Sequence, residues 1–370
     1  MLTTEELERY KRHTILPLIG REGQEKLKKA SVLVVGTGGL GSPILMYLAA
    51  SGIGKIGIVD FDVVDSSNLQ RQIIHKTGNI DMPKVDSARE MLLYINPFVK
   101  INTYNEALTS DNALSIIENY DIVCDGTDNF QTRYLVNDAC VIAGKTNVFG
   151  SIRQFEGQVS IFGTTDGPCY RCLFPEPPEP GTVPSCAEAG VMGVLPGVIG
   201  TIQATEVIKL ICNIGEALIG RLLQYDALSM KFDNIRFAKD EDCPCCGNKP
   251  SITELMDYDA FCGTTFNASS SINENISARE LKALINSAKP PLIIDVRETE
   301  ELREGFIDGS LHIAMNDIPQ QVNKIPKNKP VVIYCHSGIR SRHVIQYLKQ
   351  HDYNNLTNLT GGIEAWDMER

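Results

Sequence analysis

The chain has 370 residues, enough for two or three domains and a large buried core. Apolar residues make up 43% and charged residues 22%, which excludes a collagen-like or disordered polymer. A net charge of −11 argues against a nucleic-acid scaffold and against adhesion to an anionic membrane, though a local basic pocket remains compatible with it.

The first thirty residues mix acids and bases without an apolar segment, so no signal peptide is expected. No run is read as long enough to span a bilayer. The expected location is the cytosol, where thiols stay reduced, so the eleven cysteines call for something other than a disulfide framework. From Ser31 to about Val148, short apolar runs (SVLVVG, KIGIVD, YDIVCDGTD) alternate with helical spacing such as SPILMYLAASG. This pattern predicts a Rossmann-like α/β domain with a mostly parallel sheet and helices on both faces. After Gly150, EGQVSIFG reads as a strand and VMGVLPGVIGTIQATEVIKLI as a buried helical region. The proline-rich loop LFPEPPEPGTVPS between them is of a length and composition often functional. The polar stretch from Thr264 to Asn275 is the expected linker between a domain over 1–263 and a second α/β unit over 276–370.

In VLVVGTGGLGS, Gly36, Gly38 and Gly41 take the GxGxxG spacing after a strand and before a helix. Backbone amides in such a turn approach phosphates, and a helix N-terminus favours their charge. Asp60 closes the next strand, where a ribose-binding acid is expected. The fingerprint alone suits a dinucleotide and hence an NAD-dependent oxidoreductase. Asn68, Gln70, Arg71 and Lys84 follow, and two cations after the ribose acid suit a triphosphate better than a nicotinamide. Asp125 and Asp128 end a later strand, at the sheet edge where open α/β folds bind ligands. A carboxylate there fits a Mg2+ ion bridging phosphates, although Asp125 equally suits a turn cap.

CYRC supplies Cys169 and Cys172, and CPCC supplies Cys243 and Cys246, two pairs of knuckle spacing suited to tetrahedral Zn2+. Cys245 leaves the register of the second pair open by one position, and a redox dithiol is the alternative for either pair. Cys124, Cys140, Cys212 and Cys262 read as small buried apolar residues or ordinary thiols. Near the end, VVIY leads into CHSGIRS, so that Cys335 follows a strand and Arg340 enters a helix. A helix N-terminus and nearby cations favour the thiolate, the nucleophilic form. A phosphatase loop has C-x5-R spacing; four residues separate Cys335 from Arg340, a shorter loop that suits sulfur transfer. His336 is assigned no role.

GTGGLG, IVDFDVVDSSNLQRQ, PKVDSA, GTDN, CYRC, SCAEAGV and CPCCG stand in the order of the E1-like adenylating enzymes of molybdopterin and thiazole biosynthesis. Residues 5 to 248 resemble that family. The resemblance implies adenylylation, with ATP, of the C-terminal glycine of a ubiquitin-like sulfur carrier ending in Gly-Gly. By resemblance, Gly39 and Gly41 line the nucleotide, Asn68 contributes to its binding and Asp60 holds the ribose. Arg71 and Lys84 bind phosphates, and Asp128 positions Mg2+. Arg12 matches an arginine that reaches the ATP of a neighbouring subunit, which implies a homodimer. Cys186 matches a cysteine that some members use for a thioester or mixed disulfide with the carrier. Residues 276 to about 367 resemble a rhodanese domain through IIDVRETEEL, EGFIDGSLHIAM, YCHSGIRS and LTGGIEAW. Phe306 stands where that family usually has histidine. The resemblance implies a Cys335 persulfide, loaded from thiosulfate or a desulfurase persulfide, that turns the adenylylated carrier into a thiocarboxylate. A non-catalytic adaptor for a ubiquitin-like partner is the third reading.

Overall fold

The computed structural model describes residues 1–178, 189–262, 275–285, 290–349, 351 and 353–368. The chain divides into two compact units, Met1–Phe266 and Asn267–Arg370. Cys186 lies outside the described residues, as does residue 264 to residue 274 of the expected linker.

The first unit is built on one eight-stranded sheet. Its strands are β1 (Ser31–Val35), β2 (Lys55–Val59), β3 (Lys100–Tyr104), β4 (Ile122–Asp125), β5 (Thr146–Arg153), β6 (Glu156–Phe162), β7 (Arg221–Asp226) and β8 (Lys231–Arg236), in the order β3-β2-β1-β4-β5-β6-β7-β8. The strands from β3 to β5 are parallel, and the β5–β6, β6–β7 and β7–β8 pairs are antiparallel. Continuous apolar runs form β1, β2 and β4 because both sheet faces are covered there, β4 being buried along its whole length, whereas β3 (KINTY), the parallel edge strand, is polar and only partly buried. On one face Ile44, Leu45 and Leu48 of the helix Gly41–Ser51 join Val85, Ala88 and Leu92 of the helix Lys84–Ile95. On the other, Leu135, Val136 and Ala139 of the helix Phe130–Ile142 pack with Ile116 and Ile117. The β7–β8 hairpin extends the sheet without a sequence forecast: every residue of β8 is exposed, so no inward-outward alternation marks it.

One sequence expectation needs correction. The helix Leu195–Cys212 is long and apolar enough, by length and composition alone, to cross a membrane. Here it is a core helix: Leu195, Ile199, Ala204 and Val207 are buried in the same cluster as the helix Gly41–Ser51. Its apolar run reflects burial between that helix and the sheet, which is the other way such a composition arises.

The second unit holds a five-stranded, all-parallel sheet of β9 (Asn275–Ile276), β10 (Leu292–Asp295), β11 (Leu311–His312), β12 (Val331–Tyr334) and β13 (Leu356–Leu359), in the order β11-β10-β12-β13-β9. β12 is central and wholly buried, and the helix Ile339–Lys349 follows it. Apolar clusters cover both faces of the sheet.

Candidate active sites

The strand order of the first sheet reverses between β1 and β4, and a cleft of about 170 Å³ opens at the carboxyl ends of those strands and β2. That is the switch point at which open α/β sheets take ligands. The turn after β1 depends on its glycines. Gly36 has φ +90°, a left-handed value that side chains resist. A Cβ on Gly41 would come within 1.9 Å of the Gly36 carbonyl oxygen. Gly38 and Gly39 line the cleft; Gly41 does not, and its part is to let the first helical turn close against Gly36.

Asp60, Arg71, Lys84 and Asp128 come together around this cleft although 68 positions separate the first from the last in the numbering. Asp60 is held rigidly: Oδ2 accepts from the Thr37 amide (2.8 Å) and hydroxyl (2.7 Å), and Oδ1 accepts from the Asp62 amide (2.9 Å). Lys84 is only 5% exposed and donates from Nζ to Asp62 Oδ2 at 2.7 Å. Arg71 donates to the Ser67 carbonyl at 3.2 Å. Asp128 precedes Asn129, whose side chain caps the helix Phe130–Ile142 by accepting from the Thr132 amide at 2.9 Å. Arg71, Lys84, Asp60 and Asp128, with Asp62, Glu106 and Arg133, thus line one concave surface beside the half-buried backbone of a glycine turn, a set that can accommodate a metal-bridged polyphosphate. Asn68 and Arg12 stand outside the lining. Asn68 Nδ2 donates to Ser67 Oγ at 3.3 Å, and Arg12 is an exposed residue of the short helix Lys11–Thr14.

Of the two acids, Asp125 takes the turn-cap arrangement that its position also suits. Asp125 is fully buried, and Oδ1 accepts from the Thr127 amide (2.9 Å) and hydroxyl (2.6 Å), so it shapes the turn that presents Asp128. Burial pushes its carboxyl up, opposed by the Arg133 guanidinium. Arg133 lines the cleft between the rings of Phe130 and Phe149, at 5.2 and 5.3 Å, and no local motif marks it.

The sulfurs of Cys169, Cys172, Cys243 and Cys246 all lie within 4.8 Å of one another, with Cys169–Cys243 at 3.6 Å and Cys172–Cys246 at 3.3 Å. A tetrahedral zinc with Zn–S bonds of about 2.3 Å sets its sulfurs about 3.8 Å apart, so the cluster can hold a metal of that kind. Cys245 is buried beside this group without belonging to it, and its sulfur accepts from the Asn137 amide at 3.9 Å, an arrangement that favours Cys246 over Cys245 in the second pair. Cys124, Cys140, Cys212 and Cys262 are buried free thiols. Between the first two cluster cysteines, Arg171 binds Asp138 through two hydrogen bonds of 2.8 and 2.7 Å, and Tyr258 donates to the same carboxylate at 2.9 Å. This buried network ties the metal knuckle to the helix that begins at the cleft.

In the second unit Cys335 follows β12 and is 1% exposed. Its Sγ accepts from the Gly338 amide at 3.1 Å, and Ser341 Oγ lies 3.5 Å away while donating to Asn358 Oδ1 at 2.7 Å. Gly338 has φ +87°, which turns its amide back toward the sulfur. The Ile363 amide donates to the Cys335 carbonyl (2.9 Å) and the Glu364 amide to the His336 carbonyl (3.2 Å), so the helix Gly362–Met368 braces the loop from behind. The Gly338 amide, aimed at the sulfur, is of the kind that stabilises a negative charge there. Arg340 forms two 2.7 Å bonds to the Glu301 carboxylate, which they hold below the usual carboxylate range. Phe306, the departure noted in the sequence, is 48% exposed.

Residues 10–245 match the model of the ThiF family and residues 277–369 that of the rhodanese-like domain. The chain is 46% identical to a probable adenylyltransferase/sulfurtransferase MoeZ of Mycobacterium tuberculosis, over 99% of this chain and 94% of that protein. It is 40% identical to the adenylyltransferase and sulfurtransferase MOCS3 of Bos taurus, over 99% of this chain and 86% of that one. The sulfur carrier protein adenylyltransferase of Thermus thermophilus is 53% identical and covers 70% of this chain with 98% of its own length. Among solved structures, Escherichia coli MccB with ATP superposes with a TM-score of 0.55 at 22% identity, over 61% of this chain and 69% of that chain, a likeness of fold alone. Motif order, sheet topology and full-length similarity converge: the chain belongs to the ThiF family and carries a rhodanese-like domain after its adenylylating unit.

Proposed function

We propose that this protein is an adenylyltransferase and sulfurtransferase that activates the C-terminal glycine of a ubiquitin-like sulfur carrier with ATP and then converts it to a thiocarboxylate. The observation that carries this reading is the meeting of Asp60, Arg71, Lys84 and Asp128 around one cleft at the switch point of the sheet. In this reading the Asp60 carboxylate accepts from the ribose hydroxyls, and the amides near Gly38 and Gly39 face the phosphates. Arg71 and Lys84 draw charge off the pyrophosphate as it leaves, with Lys84 exchanging Asp62 for phosphate oxygen. Mg2+, held by Asp128 together with the phosphates, would neutralise their charge in the transition state. The carrier carboxylate is ionised at neutral pH and attacks the α-phosphate without a general base. Positioning and charge stabilisation therefore make up most of the catalysis. Zn2+ at the four cysteines would be structural, since four thiolates leave no open position. Arg12, outside this cleft, fits the reading of a homodimer in which it serves the partner's nucleotide.

The Cys335 thiolate takes the outer sulfur of a donor persulfide or of thiosulfate, releasing the donor thiolate or sulfite. The Cys335 persulfide then attacks the acyl-adenylate: a carbon–sulfur bond forms, the carbon–oxygen bond to AMP breaks, and AMP leaves. A thiolate, for which Cys186 is the candidate, attacks the Cys335 sulfur of this acyl disulfide. The thiocarboxylate departs and a Cys186–Cys335 disulfide remains for a cellular dithiol to reduce. Replacing Cys335 by alanine should leave carrier-dependent ATP–pyrophosphate exchange intact and abolish thiocarboxylate formation, read by mass spectrometry of the carrier. Loss of exchange in a folded Cys335→Ala protein would refute this division of labour.

A further inference from the structure

His75 stands four positions after Arg71 and was given no place among the candidate residues. It is 6% exposed, and both ring nitrogens are committed. Nε2 lies 3.1 Å from the Thr37 carbonyl oxygen and Nδ1 lies 2.9 Å from Ser87 Oγ. A carbonyl only accepts, so the ring proton sits on Nε2, and Nδ1 accepts from the Ser87 hydroxyl. Burial holds the imidazolium below its ordinary range, and Lys84 nearby acts in the same direction, so the ring is neutral at physiological pH.

Thr37 is the next link. It sits between Gly36, whose amide donates to the Val59 carbonyl (2.8 Å), and Gly38, whose carbonyl accepts from the Ser42 amide (3.0 Å), so among these backbone groups the Thr37 carbonyl is the one that His75 holds. Thr37 fixes Asp60 with two hydrogen bonds to Oδ2, of 2.8 and 2.7 Å. The Thr37 amide belongs to the Gly36–Thr37 peptide and its carbonyl to the Thr37–Gly38 peptide, so the buried imidazole, by gripping that carbonyl from inside the fold, fixes ψ of Thr37 and through its Cα the residue whose amide and hydroxyl hold Asp60. The resulting relay runs from Ser87 on the helix Lys84–Ile95, through His75 and the glycine turn, to the acid at the end of β2.

We infer that His75 is a positioning residue for nucleotide selection: with Ser87 it fixes the Thr37 carbonyl, hence the conformation of Thr37, and through the Thr37 amide and hydroxyl the orientation in which Asp60 reads the ribose hydroxyls. This rests on the reading of Asp60 as the ribose-binding acid. Two amide replacements separate the two ends of the imidazole. The longer Gln side chain places an amide nitrogen near the Nε2 position and keeps the Thr37 bond. The shorter Asn reaches only the Nδ1 position and keeps the Ser87 bond.

The test measures carrier-dependent ATP–pyrophosphate exchange by the full chain with ATP and with 2′-deoxyATP, beside urea unfolding. His75→Asn should raise the KM for ATP about tenfold, the scale of one buried hydrogen bond, and collapse the ATP preference toward parity with a smaller change in kcat. His75→Gln should keep the preference within about threefold of the wild type even where the two variants lose similar stability. Ser87→Ala, the milder perturbation, should weaken the preference without removing it. An unchanged preference in His75→Asn, or an equal loss in both His75 variants, would overturn the inference. Asp60→Asn is the reference. If it leaves the preference untouched, the ribose assignment falls and the inference with it; if it collapses the preference while His75→Asn does not, only the relay falls.

Discussion

Arg171→Met probes the most deeply buried charge pair of the first unit. The Asp138 side chain is 0% exposed and that of Arg171 2%. Asp138 accepts four hydrogen bonds, two from Arg171, one from Tyr258 (2.9 Å) and one from Asn137 (2.9 Å). Methionine keeps most of the arginine stem but strands a buried carboxylate on two neutral donors. Removing one partner of such a pair costs about 3–5 kcal/mol, a large part of the 5–15 kcal/mol that stabilises a typical domain. Replacing both partners, Arg171→Met with Asp138→Leu, removes the stranded charge and should recover most of the loss. The assay is urea unfolding of the full chain followed by far-ultraviolet circular dichroism, with fluorescence of Trp366, the sole tryptophan, as an internal control. Trp366 is packed in the second unit, so its transition should stay put while the main dichroism transition moves. A shift below about 1 kcal/mol in Arg171→Met, or a double variant worse than the single one, would refute the reasoning.

Lys84→Met should weaken Mg-ATP binding by tenfold or more in titration calorimetry, since a charge-assisted hydrogen bond contributes about 1.5–3 kcal/mol; undiminished affinity would exclude Lys84 from the phosphate site. Cys246→Ser should lower the zinc content and the unfolding midpoint of the first unit, whereas Cys245→Ser should keep full metal stoichiometry in elemental analysis; the reverse pattern would reject the register of the cluster. Glu301→Gln tests the ion pair beside the sulfur loop. The Glu301 carboxyl is held down chiefly by its bonds to Arg340, so its contribution to stability is complete above the ordinary glutamate value of about 4.3 and is lost as pH falls through the depressed folded value. Wild type and variant should therefore differ by Trp366 fluorescence at neutral pH and converge in acid; a gap that persists at low pH would contradict this sign.

How much of this was legible in the sequence follows from the range over which each feature is encoded. The turn after β1, the acid at the end of β2 and the two knuckles are local patterns, because a phosphate turn or a metal loop needs its residues a few positions apart. β1, β2 and β4 are legible because burial on both faces makes them continuously apolar, whereas the parallel edge strand β3, KINTY, is polar and lacks that pattern. β8 carries no such mark, and the helix Leu195–Cys212 carries one that two environments share. The register of CPCC is not decidable from spacing, since what favours Cys246 is the contact of Cys245 with Asn137, 108 positions away. Asp138, Arg171 and Tyr258 sit on three separate segments, up to 120 positions apart, and periodicity says nothing about partners so distant. Gly41 and Asn68 show the converse: a motif position can support a site without touching the cleft.

The structure of the full chain crystallised with ATP and magnesium tests the central claim most directly. The account predicts the nucleotide in the cleft after β1, its ribose on Asp60, its outer phosphates against Arg71 and Lys84, and the metal on Asp128. A nucleotide bound elsewhere, or phosphates beyond reach of both cations, would contradict it.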